Sequence, residues 1–373
     1  MKIALIFPYN NPFTYDRPKP VILSALAYIQ NTRYNLTIIT PDAPNIFKPS
    51  KHTVITIAAN SKGQYLQKVI ATLDNSYDIV EVHQDTKLAA RIAKKYSHIK
   101  VTLIKHSFYL INRIKEKFFF NRLFYYYFYL KYIHRVFCIS KYVCNVFEKR
   151  YPKYYSFNVL YNSYGHVPLD DFKNSVISRK HQIVFSGKPV GNKGVKELFE
   201  SLIILLNKYP NYNALIMGAF FSKKNKYRKT IREILQKPEI QKLLQEKRIL
   251  IKENLSIKEV FANLLESEIA LMLTKINEAF GLSCLEYHLA SCAVVSSGKG
   301  GLKEVSGDYA MFLKQVTSKE IVEQVSYLIE NPAFATELAR KGNEYVLNTF
   351  NPFTLSQFLD SEREKTYELY NEN

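Results

Sequence analysis

Short runs of consecutive apolar residues alternate along the chain with longer stretches in which apolar positions recur every three or four residues. The runs Ile3–Phe7, Leu36–Ile39, Val54–Ile57, Ile79–Val82, Val101–Ile104, Val136–Ile139 and Asn158–Leu160 have the length of buried strands, and the stretches between them, such as 19–30 and 86–96, have helical spacing. Strands buried on both faces and separated by helices predict a parallel sheet rather than hairpins. After Tyr164-Gly165 a polar segment without a period runs to Lys180 and reads as a linker. The alternation then restarts with strands at Ile183–Ser186, Asn213–Met217, Ile249–Ile251, Ile269–Leu273 and Ala293–Ser296 and helices over 195–208, 226–245, 257–265 and 283–290. The expected fold class is α/β: two doubly wound parallel-sheet, Rossmann-like domains facing a cleft, with ligands beyond the carboxyl ends of the strands. The expected boundaries are 1–165, 166–350, and a closing helical stretch within 351–373.

Composition adds an electrostatic polarity to this plan. The 373 residues carry a formal charge of +19, which favours anionic partners. Residues 1–165 hold 24 basic against 8 acidic side chains, and residues 166–373 hold 28 against 25, so nearly all the excess lies in the first domain. The four cysteines form neither a Cys-x-x-Cys pair nor a dense framework, which points to free thiols in a reducing compartment and suggests no zinc site. The apolar run at Ile3–Phe7 is too short for a signal-peptide core, and the most apolar long stretch, 118–133, is broken by Asn121, Arg122 and Lys131, so no span of the membrane is expected. The segment 115–132 mixes Phe and Tyr with Lys and Arg, a composition suited to an anionic membrane interface, or to a buried helix with snorkelling lysines.

The candidate chemistry lies in the second domain. Phe185-Ser186-Gly187-Lys188-Pro189-Val190-Gly191-Asn192-Lys193-Gly194 joins a strand to a helix through glycines and two lysines. Glycines let backbone N–H groups approach an anion, and a helix start offers a positive dipole end, so the turn is a usable phosphate cradle. In Glu278-Ala279-Phe280-Gly281-Leu282-Ser283-Cys284-Leu285-Glu286 two carboxylates flank a glycine turn; if a helix begins after Gly281, Glu278 stands in the loop and Glu286 in the first turn. Eight residues at helical rise span at most about 12 Å, a distance that lets one carboxylate hold a sugar, the helix end a diphosphate and the other carboxylate a ribose. Ser283 and Glu286 also fit a capping box, in which Glu286 only ties off its own helix.

These residues resemble the retaining glycosyltransferases of the GT-B fold, family 4, whose hallmark is Glu, seven residues, Glu around a Phe-Gly-Leu centre. Gly187-Lys188 and Lys193-Gly194 are similar to the family's Gly-Arg and Lys-Gly pairs. Leu215-Ile216-Met217-Gly218, Ala293-Val294-Val295-Ser296 and Gly300-Gly301-Leu302-Lys303-Glu304-Val305 follow in the family's order. The resemblance implies that Glu278 faces the donor sugar, Glu286 the ribose, and the stretch Ala279, Phe280, Gly281 and Leu282 the sugar and diphosphate. Gly187, Lys188 and Lys193 then meet the leaving nucleoside diphosphate, and His106 lines the donor sugar from the first domain. His83, Asn10, Asn11 and Arg17 are weaker candidates on the acceptor side, because Asn10-Asn11 stands where the family has glycines. It also implies a closing helix, 354–370, that returns to the first domain.

The resemblance further implies a nucleotide-sugar donor, UDP-sugar favoured, with no cofactor and no metal, consistent with the lack of Asp-x-Asp. With the basic first domain it implies an anionic glycan or glycolipid acceptor and a cytoplasmic, peripheral position at the inner face of the plasma membrane. The expected activity is transfer of a hexose or N-acetylhexosamine in lipopolysaccharide or other cell-surface glycan synthesis. The alternatives are a basic nucleic-acid-binding protein, which leaves the two glutamates without work, and a GT-B sugar-nucleotide epimerase.

Overall fold

The computed structural model describes residues 1–14, 18–108, 119–151, 157–172, 178–220 and 227–368. It divides into two compact units, Met1–His166 with Phe350–Asn373, and Val167–Thr349. Arg17, residues 115–118 of the aromatic segment, residues 173–177 of the linker and the end of the closing stretch after Glu368 lie outside the described residues.

Unit 1 holds strands β1 (Ile3–Ile6), β2 (Leu36–Pro41), β3 (Thr53–Ile57), β4 (Ile79–His83), β5 (Lys100–Lys105), β6 (Arg135–Cys138) and β7 (Phe157–Val159), all parallel, in the order β3-β2-β1-β4-β5-β6-β7. Unit 2 repeats the plan with β8 (Lys180–Ser186), β9 (Asn213–Met217), β10 (Ile249–Lys252), β11 (Ser267–Met272), β12 (Ala293–Ser296) and β13 (Met311–Phe312), in the order β10-β9-β8-β11-β12-β13. Each is a doubly wound α/β sheet. Its strands read as continuous apolar runs because helices cover both faces: Ile3, Ala4, Leu5 and Ile6 are all buried, as are Val294 and Val295.

Two elements differ from the sequence reading. The helix expected over 226–245 is two helices, Arg228–Leu235 and Pro238–Gln245, with Lys237 extended between them (φ −62°, ψ 134°). Pro238 has no N–H and its ring disfavours helical backbone at the residue before it, so it closes one helix and starts the next. Strand β13 is only two residues long and was not anticipated.

The helix Pro352–Glu368 packs within unit 1, and its anchor is a buried ion network. Arg363, 1% exposed, reaches both carboxylate oxygens of Glu81 in β4, at 2.9 and 2.6 Å, together with Asp360 at 2.6 Å and Thr32 Oγ1 at 2.9 Å. A glutamate in the middle of a buried strand requires such a partner, because an unpaired carboxylate there is costly to desolvate.

On the helix Phe119–Phe128, Phe124, Tyr127 and Phe128 fall at i, i+3 and i+4 and are 46%, 53% and 51% exposed, whereas Tyr125 and the nearby Leu130 are buried. Lys94 lies 4.3 Å from the Tyr132 ring and Lys131 5.6 Å from the Tyr127 ring. The outward face is therefore aromatic and flanked by cations. All four cysteines are buried and free. Among the described residues no helix is long and apolar enough to cross a membrane.

Candidate active site

In the sheet of unit 2 the order reverses between β8 and β11, whose hydrogen-bonded register pairs Ile183 with Ile269 and Val184 with Ala270. The loops leaving these two neighbours run to opposite faces, which opens a crevice at the carboxyl edge. The loop after β8 carries Gly187 and Lys188, turns once through Gly191–Lys193, and passes Gly194 into the helix Val195–Lys208. The loop after β11 runs from Leu273 to Gly281 into the helix Leu282–Leu289. The backbone N–H of Lys275 donates to the Asn192 carbonyl at 2.7 Å, so the two loops are stitched together.

Lys193 and Glu278 meet across this stitch. The Lys193 ammonium donates to a Glu278 carboxylate oxygen, which also accepts from Thr274 Oγ1 at 3.1 Å, and both long side chains are largely withdrawn from solvent. Glu278 is held from behind through its backbone: its carbonyl accepts the Gly301 N–H at 2.9 Å, and its N–H donates to the Lys299 carbonyl at 3.3 Å. Gly300 makes this approach possible. Its φ is +67°, and a Cβ there would lie 2.3 Å from the Glu278 carbonyl oxygen. Glycines 300 and 301 thus place the carboxylate of a residue more than twenty positions earlier.

The helix Leu282–Leu289 begins at Gly281, whose φ is +117° and whose missing side chain would meet Leu302 Cδ2 at 2.4 Å. Its N-cap receives no side-chain hydrogen bond, and Ser283 lies inside the helix. The Ser283–Glu286 capping box is therefore not formed, whereas one is formed at Ser256 and Glu259, one helix earlier. Glu286 is the fifth helical residue, one turn deeper than the sequence reading put it. By helix geometry the amides of Leu282, Ser283 and Cys284 have no intrahelical carbonyl to bond, and they carry the positive end of the helix dipole.

Glu286 lines a cavity of about 150 Å³ with Ser186, Val167, Leu255, Ile257, Phe261 and Leu264. Its position is fixed by its neighbour. The Tyr287 hydroxyl accepts the Ser186 N–H at 2.7 Å and donates to the Ser186 carbonyl at 2.9 Å, tying the second helical turn to the end of β8. Burial pushes the Tyr287 phenol well above its ordinary range, so it stays protonated and donating. Tyr287 and Thr274 were not singled out from the sequence. Both are ordinary residues beside a marked one, and only tertiary contact distinguishes them.

Lys188 is exposed beside Gly187, whose N–H bonds the Met217 carbonyl at 3.0 Å. Ala279 and Leu282 are half-buried and Phe280 is buried. A larger groove, about 520 Å³, opens along the amino ends of the strands, lined by His181, Glu268 and Arg340. It is at the opposite edge of the sheet from the glutamates.

In unit 1, His83 ends β4 and His106 directly follows β5, and the two imidazoles are hydrogen-bonded, Nδ1 to Nε2, at 2.9 Å. Asn10 is exposed in the loop after β1, and its carbonyl accepts from the Lys19 ammonium. Asn11 closes a turn onto the Pro8 carbonyl at 2.8 Å. Among the described residues no three His, Cys, Asp or Glu side chains are grouped to hold a metal ion.

Residues 168–345 match the family described as glycosyl transferases group 1. No curated protein matches the chain in sequence. Solved structures with the same fold include Anabaena HepE in complex with UDP, 15% identical, and with UDP-glucose, 14% identical. Both superpose with a TM-score of 0.74 over 98% of this chain and 100% of that one. Sucrose-phosphate synthase from Thermosynechococcus elongatus, 13% identical, gives 0.72 over the whole of both chains. At these identities the likeness is one of fold. Two parallel-sheet α/β units of this order are the GT-B fold. The match to glycosyl transferases group 1 is carried by the second unit.

Proposed function

We propose that the chain transfers a hexose or N-acetylhexosamine, with retention, from a UDP-sugar to an anionic glycan or lipid-linked acceptor at the inner face of a membrane, in lipopolysaccharide or other cell-surface glycan synthesis. The observation that carries the reading is the pair of glutamates bracketing one helix start, Glu278 held by Lys193 and Glu286 lining its own cavity. Glu278 faces the sugar hydroxyls and Glu286 the ribose. The amides that open the helix Leu282–Leu289 take the diphosphate, with Lys188 and Lys193 adding positive charge.

The chemistry follows from charge. As the bond between the anomeric carbon and the phosphate oxygen breaks, the sugar ring becomes cationic and the diphosphate anionic. Fixed cations and helix amides at the diphosphate favour that separation without a metal ion. The acceptor hydroxyl attacks the face the phosphate leaves, forming the new bond to the anomeric carbon, and its proton passes to the departing phosphate oxygen. Positioning supplies most of the acceleration, and no protein nucleophile is required. The neighbours bound to UDP and UDP-glucose support the choice of donor. A panel of UDP- and GDP-sugars tested by thermal shift checks it. At a hundred-fold excess over Kd a UDP-sugar should raise Tm by roughly 5–10 °C, and a panel without any stabilising sugar nucleotide would rule the reading out.

The membrane part of the proposal is supported by the exposed Phe124, Tyr127 and Phe128 and by the cations around them, a face suited to the headgroup region of an anionic bilayer. The chain should sediment with phosphatidylglycerol-containing vesicles and not with phosphatidylcholine alone. Replacing the three rings by Ser should weaken that binding at least tenfold, at about 1 kcal/mol or more per ring removed from the interface. Equal partition onto both vesicle types would contradict it.

A further inference from the structure

The sheet of unit 1 reverses its order between β1 and β4, and His83 is the last residue of β4. Phe7, the residue after β1, packs its ring 5.1 Å from the His83 imidazole. His106 follows β5, the next strand, and joins the same corner through the 2.9 Å bond from its Nε2 to His83 Nδ1. Gln84 holds the His106 segment from its backbone: it takes a positive φ of 65°, accepts the His106 N–H on Oε1 at 2.9 Å and donates from Nε2 to Ser107 Oγ at 2.7 Å. The buried Lys105 ammonium donates to the Gln84 carbonyl at 3.0 Å.

Burial favours the neutral form of both rings. Burial pushes His106 down to about 3, helped by Lys105, and holds His83 well below the ordinary imidazole range, helped by His106 and Arg363. A hydrogen bond between two neutral imidazoles needs one N–H and one bare nitrogen. If His83 carries its proton on Nδ1, His106 must also carry its proton on Nδ1; if His106 donates from Nε2, His83 must be protonated on Nε2. The tautomers are therefore matched, and the two outer nitrogens always differ, one donor and one acceptor. Those outer atoms, His83 Nε2 and His106 Nδ1, are buried and without a partner among the described residues. Buried polar atoms left open in this way mark a place where a ligand group or water completes the set.

We propose that His83 is a positioning residue for His106: the bond between the rings fixes the orientation and tautomer of His106, and so fixes which kind of hydrogen bond its outer nitrogen offers a hydroxyl of the bound carbohydrate. The ligand class rests on the glycosyl-transfer reading; the coupling between the rings does not.

The test uses the full chain labelled with ¹⁵N-histidine. Long-range ¹H–¹⁵N spectra of the unliganded protein should show His83 and His106 neutral between pH 5.5 and 8 and in the same tautomer. His83→Leu keeps volume against Phe7 without a polar atom, and His83→Asn keeps a polar atom near Nδ1. The Leu variant should release the His106 tautomer and lower kcat about 10- to 100-fold, with KM for the donor changed less than about threefold. The Asn variant should restore kcat to within about threefold of the wild type. Unlike tautomers in the wild type, a protonated ring, or a His106 spectrum unchanged in the Leu variant would overturn the proposal whether or not the chain transfers sugar. If the Leu variant fails to fold, the wild-type tautomers and the Asn variant still decide. Leu and Asn variants of equal kcat would mean that His83 acts by packing alone.

Discussion

Lys193→Met and Glu278→Gln should each slow sugar transfer by about 10²- to 10³-fold, the size expected when one preorganised charge is removed from a reaction that separates charge. In the unliganded site the two neutralise each other, and Thr274 adds a hydrogen bond to the same Glu278 oxygen. Under the proposed donor geometry, removing the ammonium leaves the Glu278 charge uncompensated where the donor sugar binds. Removing the carboxylate charge frees Lys193 but takes away the group that orders it. The double variant should lose little more than the worse single one, because residues that share one interaction are not additive. Stability should hardly respond, since a partly exposed pair is worth about 0–1 kcal/mol. Initial rates with a radiolabelled donor, read beside circular dichroism melts, check both halves; a variant of wild-type rate would contradict the role given to the pair.

The other large effect is on folding. Arg363→Met should cost unit 1 about 3–5 kcal/mol, because it strands the Glu81 carboxylate inside the sheet with no counter-charge. Adding Glu81→Gln should recover part of the loss by removing the stranded charge. Arg33→Met, which removes a solvent-exposed bridge to Glu364 on the same helix, should cost far less than Arg363→Met. Urea unfolding of the three variants measures this. Equal losses for Arg33 and Arg363 would mean that the closing helix is held by its apolar contacts alone.

The fold was legible because its strands are covered on both faces. Ile79-Val80 and Val294-Val295 have apolar neighbours above and below the sheet, so they stand out as unbroken runs in a chain whose helices are mixed. The break between the helices Arg228–Leu235 and Pro238–Gln245 was also legible, through Lys237-Pro238, but the apolar period continues across it and hides the stop. Strand β13 carries too few residues to make a pattern.

The site was legible only in its types. The sequence shows that two glutamates flank Gly281, but not that one of them meets Lys193, 85 positions away. The same Ser-x-x-Glu pattern occurs at Ser256 and at Ser283, and only the first forms a capping box. At the second, Gly281 takes the N-cap position with a φ that ordinary residues avoid, and the helix starts too early for Ser283 to cap it. Glu286, in the second turn of that helix, lines the cavity beside Ser186. Glu81 is the converse case: a carboxylate inside a strand announces a buried partner, but nothing local says that the partner is Arg363, 282 positions on.

The central claim, that Glu286 serves the donor and not its own helix, is tested most directly by isothermal titration of UDP into the wild type and Glu286→Ala. A folded Glu286→Ala chain should bind UDP at least tenfold more weakly, the loss expected when a charged acceptor of ribose hydroxyls is removed. Unchanged affinity in that folded variant would contradict the account.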